Sequence, residues 1–463
     1  MSQAMPNRLM SIREAAADLG AVIVNGDIKS EVVLTGISTD SRSIGPGELF
    51  VALRGESFDG HDYVETALGR GAAAALVSRE VGTSSLPQIV VGDTLIALGR
   101  MAKSWRSRFT IPIIALTGSN GKTTVKEMLR TILVAHAGSS TAVLATEGNL
   151  NNHIGVPLMM LRLNAAHRYA VFEMGMNHLL EIDYLTRLVE PDVALIIMAG
   201  TAHIGELGSR EAIAQAKGEI LAGLPPHGTA VINRHDRFGE YWRNLAGTRK
   251  VIGFGVLPDD EVVGEFSPET LTIRHAGASV AVHLHVAGEH NQRNALAAAA
   301  AAVAVGIPLA TIGEGLEDFE GVAGRLRAYA GHGNATIIDD TYNANPDSVR
   351  AAIDVLKARQ GKRLLVLGDM GELGPAAREM HSEIGIYARH ANLDGVFALG
   401  KLTEATVMAM GASGWHFDSL DELVEEVLPQ LMPNTTVLVK GSRFMKMERV
   451  VAKLVPNFHG ASH

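Results

Sequence analysis

The stretch that most constrains this chain is Ile111-Pro-Ile-Ile-Ala-Leu-Thr-Gly-Ser-Asn-Gly-Lys-Thr-Thr124. An apolar run of strand length enters a glycine-bearing loop and leaves as a helical pattern reaching about His136. Strand, glycine loop and helix in that order form a phosphate-binding corner. Gly118 and Gly121 let the backbone N–H groups of the loop, Ser119 and Asn120 included, close around phosphate oxygens. Lys122 neutralises the outer phosphates, the Thr123 hydroxyl can ligate magnesium, and the helix opening through Thr124 adds its positive end. Leu116 stands where the full glycine-lysine pattern wants its first glycine, so the match is partial. The competing reading is an ordinary strand-turn-helix corner.

Such a corner needs a sheet around it. From about 98 to 324, strand-like runs at Thr141 to Leu144, Tyr169 to Glu173, Val193 to Met198 and Ala230 to Ile232 alternate with helical patterns. That alternation predicts a mostly parallel sheet with helices on both faces, whose ligands collect at the carboxyl ends of the strands. Glu173 ends a run apolar enough to be central, where a carboxylate is costly unless solvated or bound to a cation. It either holds magnesium opposite Thr123 or caps a helix. His203, after the strand Val193 to Met198, and Lys217, on the helical stretch Ser209 to Leu221, read more readily as surface residues than as ligands when taken singly. In His290-Asn-Gln-Arg-Asn294, the asparagines either cap the alanine-rich helix or offer donor and acceptor groups to a base edge.

At 463 residues the chain exceeds one ordinary core, and about 150 residues per domain predicts three. The patterns divide at 1–97, 98–324 and 325–463. The first unit is a small α/β unit, with runs at Ala21 to Val24, Val32 to Ile37, Leu49 to Leu53, Ala74 to Val77 and Ile89 to Val91, and helical stretches at Ser11 to Leu19 and Tyr63 to Gly71. Its polar clusters Ser38 to Arg42 and Gly55 to His61 flank one strand, as a binding rim or as solvated turns. The third unit restarts the βα pattern, with strands at Thr336 to Asp339, Leu364 to Leu367, Gly395 to Leu399 and Val437 to Val439. Polar turns follow three of these, at Asp339 to Pro346, Gly368 to Gly374 and Lys440 to Arg443, and would meet at one sheet edge.

The formal net charge of -9 argues against a general nucleic-acid or acidic-membrane binder, which needs clustered Lys and Arg. The absence of cysteine excludes disulfides, thiolate metal sites and a cysteine nucleophile. Met1 to Gly20 carries scattered charges and no signal-like apolar core. The longest apolar run, Ala295 to Ala310, is mostly alanine, is broken by Gly306 and Pro308, and reads as a buried helix instead of a membrane span. A soluble, cytoplasmic protein is expected.

With these residues in view, nearly the whole chain resembles the Mur ligases. Thr117 to Thr123, Glu173-Met-Gly, His203, Ala-Lys217-Gly-Glu, His290 to Asn294 and Gly324-Arg325 are similar, in order and spacing, to that family's ATP-binding domain. Gly148-Asn-Leu-Asn-Asn-His-Ile-Gly-Val-Pro157, Asp339 to Pro346 and Gly368 to Gly374 resemble the branch that adds D-alanyl-D-alanine to UDP-N-acetylmuramoyl-tripeptide. The Asp-Asn-Pro-Arg motif of the diamino-acid-adding branch is not found. The resemblance implies a small N-terminal α/β domain, a central phosphate-loop domain and a C-terminal Rossmann-like domain. It implies ATP and two magnesium positions, one on Thr123 and Glu173, the other on His203 and a carbamate of Lys217. Lys122, Glu173, His203 and Lys217 would be catalytic. Asn291, Asn294 and Tyr342 would contact adenine, with Asp340 and Arg325 reaching ribose and phosphates. Ser41, Glu56 and Ser57 would meet the uridine nucleotide, Asn151 and Asn152 the muramoyl peptide, and Asp369, Lys440 and Ser442 the incoming dipeptide. A monomer without nucleic-acid or membrane partners is expected. The competing readings are another amide ligase of the superfamily, such as the diamino-acid-adding ligase or a folylpolyglutamate synthase, and a nucleotide-dependent switch.

Overall fold

The computed structural model describes residues 8–25 and 32–458, and whatever was expected of 1–7, 26–31 and 459–463 lies outside them. Three sheets follow one another along the chain. The first has five strands in the spatial order Val22–Val24, Gln88–Val90, Ala74–Val77, Glu48–Val51, Gly36–Ser38, all parallel except the first pair. Ser11 caps the helix Ile12–Leu19 in a reciprocal capping box with Glu14.

One helix not read from the sequence, Thr94–Arg106, is started by Asp93, whose carboxylate accepts from the N–H groups of Leu95 and Ile96. The junction expected after residue 97 falls inside it. Its stripe of Ala97, Leu98, Met101, Ala102 and Trp105 is buried, and Trp105 donates its indole N–H to Leu163 O at 2.9 Å. The first two units are thus tied by a packed helix.

The central sheet has nine strands, ordered Ala278–Val282, Leu271–His275, Val262–Phe266, Lys250–Gly255, Thr229–Asn233, Val193–Ile196, Ile113–Thr117, Tyr169–Glu173, Val143–Ala145. It is parallel from Val143–Ala145 through Val262–Phe266, and the last two strands run antiparallel. The four strands between 250 and 282 had no counterpart among the sequence expectations. Lys250–Gly255 is parallel and buried over its last four residues, two of them glycines, so its apolar run is short. Val262–Phe266 and Leu271–His275 alternate buried and more exposed residues, and the edge strand Ala278–Val282 is mostly exposed. Ile113–Thr117 is fully buried between Tyr169–Glu173 and Val193–Ile196. The alanine-rich segment forms the helix Glu289–Ala304, buried from Asn294 through Ala302, and packs with the helix Lys122–Ala137 on one face of the sheet.

The third sheet runs Arg327–Ala330, Thr336–Asp340, Thr435–Lys440, Lys362–Gly368, Gly395–Leu399, Gly414–Phe417, parallel apart from its first strand. The mostly parallel α/β class matches expectation. Among the described residues, no helix is long and apolar enough to cross a membrane.

Candidate active site

The carboxyl ends of the central strands and the facing edge of the third sheet enclose a cavity of about 770 Å³. Its lining includes Ser119 to Lys122, Asn151, Asn152, Glu173, His203, Asn291, Asn294, Arg325, Asp340, Tyr342 and Lys440. Residues more than 300 apart in the chain meet here because both parallel sheets point the same kind of end at the gap.

Gly121 holds φ 81° and caps the helix Lys122–Ala137 without a side-chain acceptor, so the helix's first N–H groups stay available to an anion. A Cβ at Gly121 would also collide with Asn294 Oδ1, so glycine is needed twice over. Lys122 Nζ donates to Gly118 O at 2.7 Å, folding the ammonium back across its own loop. Burial lowers the Lys122 pKa and Arg325 adds to this, while Glu173 and Glu372 oppose it. The hydroxyl of Ser119 is buried without a partner among the described residues.

Glu173, 3% exposed, accepts from Thr123 Oγ1 at 3.0 Å on one oxygen and from Asn151 Nδ2 at 2.9 Å on the other. Thr123 Oγ1 in turn accepts from Arg325 Nη2 at 2.9 Å, across the boundary between the second and third sheets. Arg325 lies 4.2 Å over the ring of Tyr342, and its Nε is buried without a partner among the described residues. The guanidinium therefore bridges the phosphate loop and a stacking surface.

His203 sits in the left-handed region at φ 64°, with Nδ1 2.8 Å from Glu372 Oε2 but not aligned for a hydrogen bond. Lys217 is 2% exposed; burial pushes its ammonium well below lysine's ordinary range, the Lys122 charge adding and Glu219 opposing. It is not among the cavity-lining residues. Among the described residues no cluster of three or more His, Asp or Glu side chains forms a metal cage. Thr123 and Glu173 nevertheless present hydroxyl and carboxylate oxygens together, a donor set that fits a hard divalent cation completed by water and phosphate oxygens.

Asn291 and Asn294 stack along one helix face, Asn294 Nδ2 donating to Asn291 Oδ1 at 3.4 Å, while Asn291 Nδ2 donates to Ala287 O at 2.8 Å. Asp340 and Lys440 are register partners on adjacent strands, with Lys440 Nζ 2.6 Å from Asp340 Oδ2. Lys440 therefore meets the residue expected at the ribose.

The other residues expected at the dipeptide make backbone contacts. Asp369 Oδ1 accepts from Leu402 N and Thr403 N at 3.0 and 2.9 Å, and Ser442 Oγ donates to Ala344 O at 3.0 Å while accepting from Gly371 N at 2.8 Å. Neither lines the cavity, nor do Ser41, which is buried, and the exposed Glu56 and Ser57 of the first unit. Asn152 Oδ1 accepts from Ile154 N and Gly155 N at 3.1 and 2.8 Å.

Asn345 and Asp347 also line the gap. Asn120 and Asn345 exchange amide hydrogen bonds of 3.4 and 2.8 Å, and Asp347 takes two from Thr201. Asn345 lies within the polar turn Asp339 to Pro346, and the only sequence signal for Asp347 was its adjacency to that turn.

Known proteins match all three parts of the chain. The models described as Mur ligase family, catalytic domain; Mur ligase middle domain; and Mur ligase, glutamate ligase domain match residues 33–105, 116–302 and 324–443. The chain is 43% identical over 426 residues to the UDP-N-acetylmuramoyl-tripeptide–D-alanyl-D-alanine ligase of Haemophilus influenzae, covering 90% of this chain and 93% of that one. A crystal structure of MurF from Acinetobacter baumannii superposes with TM-score 0.90 at 36% identity, covering 97% and 99% of the two chains. The MurF ligase of Thermotoga maritima in complex with ADP gives TM-score 0.80 at 26% identity over 90% and 96%. Full-length agreement of sequence and fold, together with a phosphate loop that faces a third-domain arginine, places the chain in the Mur ligase family.

Proposed function

We propose that this chain is an ATP-dependent amide ligase that joins D-alanyl-D-alanine to UDP-N-acetylmuramoyl-tripeptide in the cytoplasm, as a monomer, for peptidoglycan synthesis. The observation that carries the reading is the contact of Arg325 with Thr123, which sets one cationic side chain from the third domain against the phosphate loop of the second. A nucleotide held there lies between two domains, where a second and a third reactant can reach its terminal phosphate. We assign 1–97 to the UDP substrate, 98–324 to ATP, and 325–463 to the dipeptide and part of the nucleotide.

A carboxylate oxygen of the tripeptide attacks the γ-phosphorus, the bond to the bridging oxygen breaks, and ADP leaves. The dipeptide amine then attacks the acyl phosphate carbonyl, inorganic phosphate departs and the amine loses a proton. Both partners of the first step are anions, so the chain's task is to bring negative charges together. Lys122 and the N–H groups of Gly118 to Thr124 hold the phosphates, and Arg325 adds charge from the opposite side. Asn291, Asn294 and Tyr342 would grip the base, with Asp340 at the ribose. Thr123 and Glu173 would hold magnesium, which screens the phosphates when bound. A second ion would take His203 and Lys217, the lysine only as a carbamate, because an ammonium has no lone pair. Asn151 and Asn152 would face the peptide, Ser41, Glu56 and Ser57 the uridine nucleotide, and Asp369, Lys440 and Ser442 the dipeptide. Closure of the domains would expel water from the acyl phosphate.

The test is ADP release in the presence of each substrate alone and of both, with mass detection of the pentapeptide product. Release that requires both supports the ligase. Release that needs neither would establish a nucleotide switch instead.

A further inference from the structure

We propose that Asp347 is a positioning residue for the reaction centre: it clamps the turn at 199–203, and through it His203, when the third domain seats on the second. Asp347 lies near the start of the helix Pro346–Lys357, in the third domain. Its Oδ2 accepts from Thr201 N at 2.7 Å and Thr201 Oγ1 at 2.8 Å, and its Oδ1 accepts from Arg210 Nη2 at 3.3 Å. Arg210 begins the helix Arg210–Gly218, which carries Lys217. One carboxylate thus reaches both segments that bear His203 and Lys217.

The turn needs such a clamp. His203 is held at φ 64°, a conformation costly for a residue with a side chain and kept only when its surroundings impose it. The other end of the turn is fixed within the second domain, where Ala199 N donates to Asp236 Oδ2 at 2.9 Å. On the His203 side the third domain holds the segment at two points: Asp347 before the histidine, at Thr201, and Glu372 after it, whose backbone O accepts from Gly205 N at 2.9 Å. Gly200 permits the approach, since a Cβ there would stand 2.6 Å from Asp347 Oδ2. Thr201 is 5% exposed, so without the carboxylate its N–H and O–H lose their acceptor and the turn keeps only its outer anchors at Ala199 and Gly205. Asp347 acts through Thr201 and not on a substrate.

The proposal rests on the ligase reading only through its kcat readout. Full-length Asp347→Ala is expected to lose about 10- to 100-fold in kcat, the worth of charge-assisted hydrogen bonds, with the apparent KM for ATP within about threefold of wild type. Asp347→Asn, which keeps an acceptor for Thr201 N, recovers to within about tenfold. Thr201→Val added to Asp347→Ala costs less than about twofold more, because both changes break one link. Hydrogen exchange over 199–205 in the presence of a non-hydrolysable ATP analogue accelerates at least about tenfold in Asp347→Ala. Unchanged exchange, unchanged kcat in an active enzyme, or a fully additive Thr201→Val effect would overturn the proposal. Exchange is read without turnover, so a wild type inactive on these substrates would sink the ligase reading and leave the clamp to stand or fall on exchange alone.

Discussion

Replacing Lys440 by methionine keeps the length of the buried stem and removes its charge, leaving Asp340 without its closest partner. The two side chains are 4% and 12% exposed and 2.6 Å apart, and Lys440 Nζ also donates to Asn343 O at 2.9 Å. Breaking a buried pair from one side costs about 3–5 kcal/mol, and a carbonyl deprived of its donor adds about 1 kcal/mol. Arg325 still attracts Asp340, and the carboxyl can take up a proton, so the net loss at pH 8 is expected near 3–4 kcal/mol. For a domain of this size that lowers its melting temperature by roughly 10–15 °C.

The pH dependence has a definite sign. Burial already raises the Asp340 carboxyl above its ordinary 3.8, against the pull of Lys440 and Arg325, and loss of Lys440 raises it further. A carboxyl that holds its proton more tightly when folded favours the fold below its unfolded pKa, and that contribution is lost as pH rises through the folded pKa. The deficit of Lys440→Met is therefore largest at pH 8 and shrinks toward pH 5. Asp340→Asn in the same chain restores most of the stability, since no buried charge remains. Scanning calorimetry at pH 5, 6.5 and 8, with the third-domain transition resolved, measures all three. A deficit below about 1 kcal/mol, or one that does not change with pH, would refute a buried, charge-paired Asp340.

Lys122→Ala should lose about three powers of ten in kcat/KM, roughly 4 kcal/mol of transition-state stabilisation, in a coupled ADP assay; near-wild-type turnover would end the phosphate-loop assignment. Glu173→Gln retains shape and one acceptor, so it should melt within about 2 °C of wild type while needing at least about tenfold more magnesium for half-maximal rate. His290 is pushed down to about 4 by burial, with Lys440 adding and Asp354 and Glu289 opposing. Its stabilising contribution is complete above the ordinary 6.5 and is lost as pH falls from there toward 4. His290→Asn should flatten urea-unfolding stability across that window, and an unaltered slope would count against it.

The phosphate corner was legible because every part is local: an apolar strand, a glycine that must take positive φ, and a helix start. The βα alternation was legible for a similar reason, since parallel strands buried on both faces are continuous apolar runs. The strands between 262 and 282 lack that signal, Ala278–Val282 burying only its last residue fully, and in Lys250–Gly255 two glycines break up the apolar run. Strand-end position drew attention to Asp340, Lys440, Asp369 and Ser442 alike and could not tell the first two, which line the cavity, from the last two, whose polar atoms contact backbone N–H and C=O groups.

By itself, then, the sequence determined the class of fold, the strand, glycine loop and helix of the corner at 113–137, and the family, all of which follow from residue types at short spacing. Tertiary structure alone decided which charges meet. Arg325 against Thr123, Lys440 against Asp340 and Asp347 against Thr201 are pairs brought together by strand order and by the seating of one domain on another. Spacing along a chain carries no information about those distances, because the sheet, and not the loop between two residues, sets them.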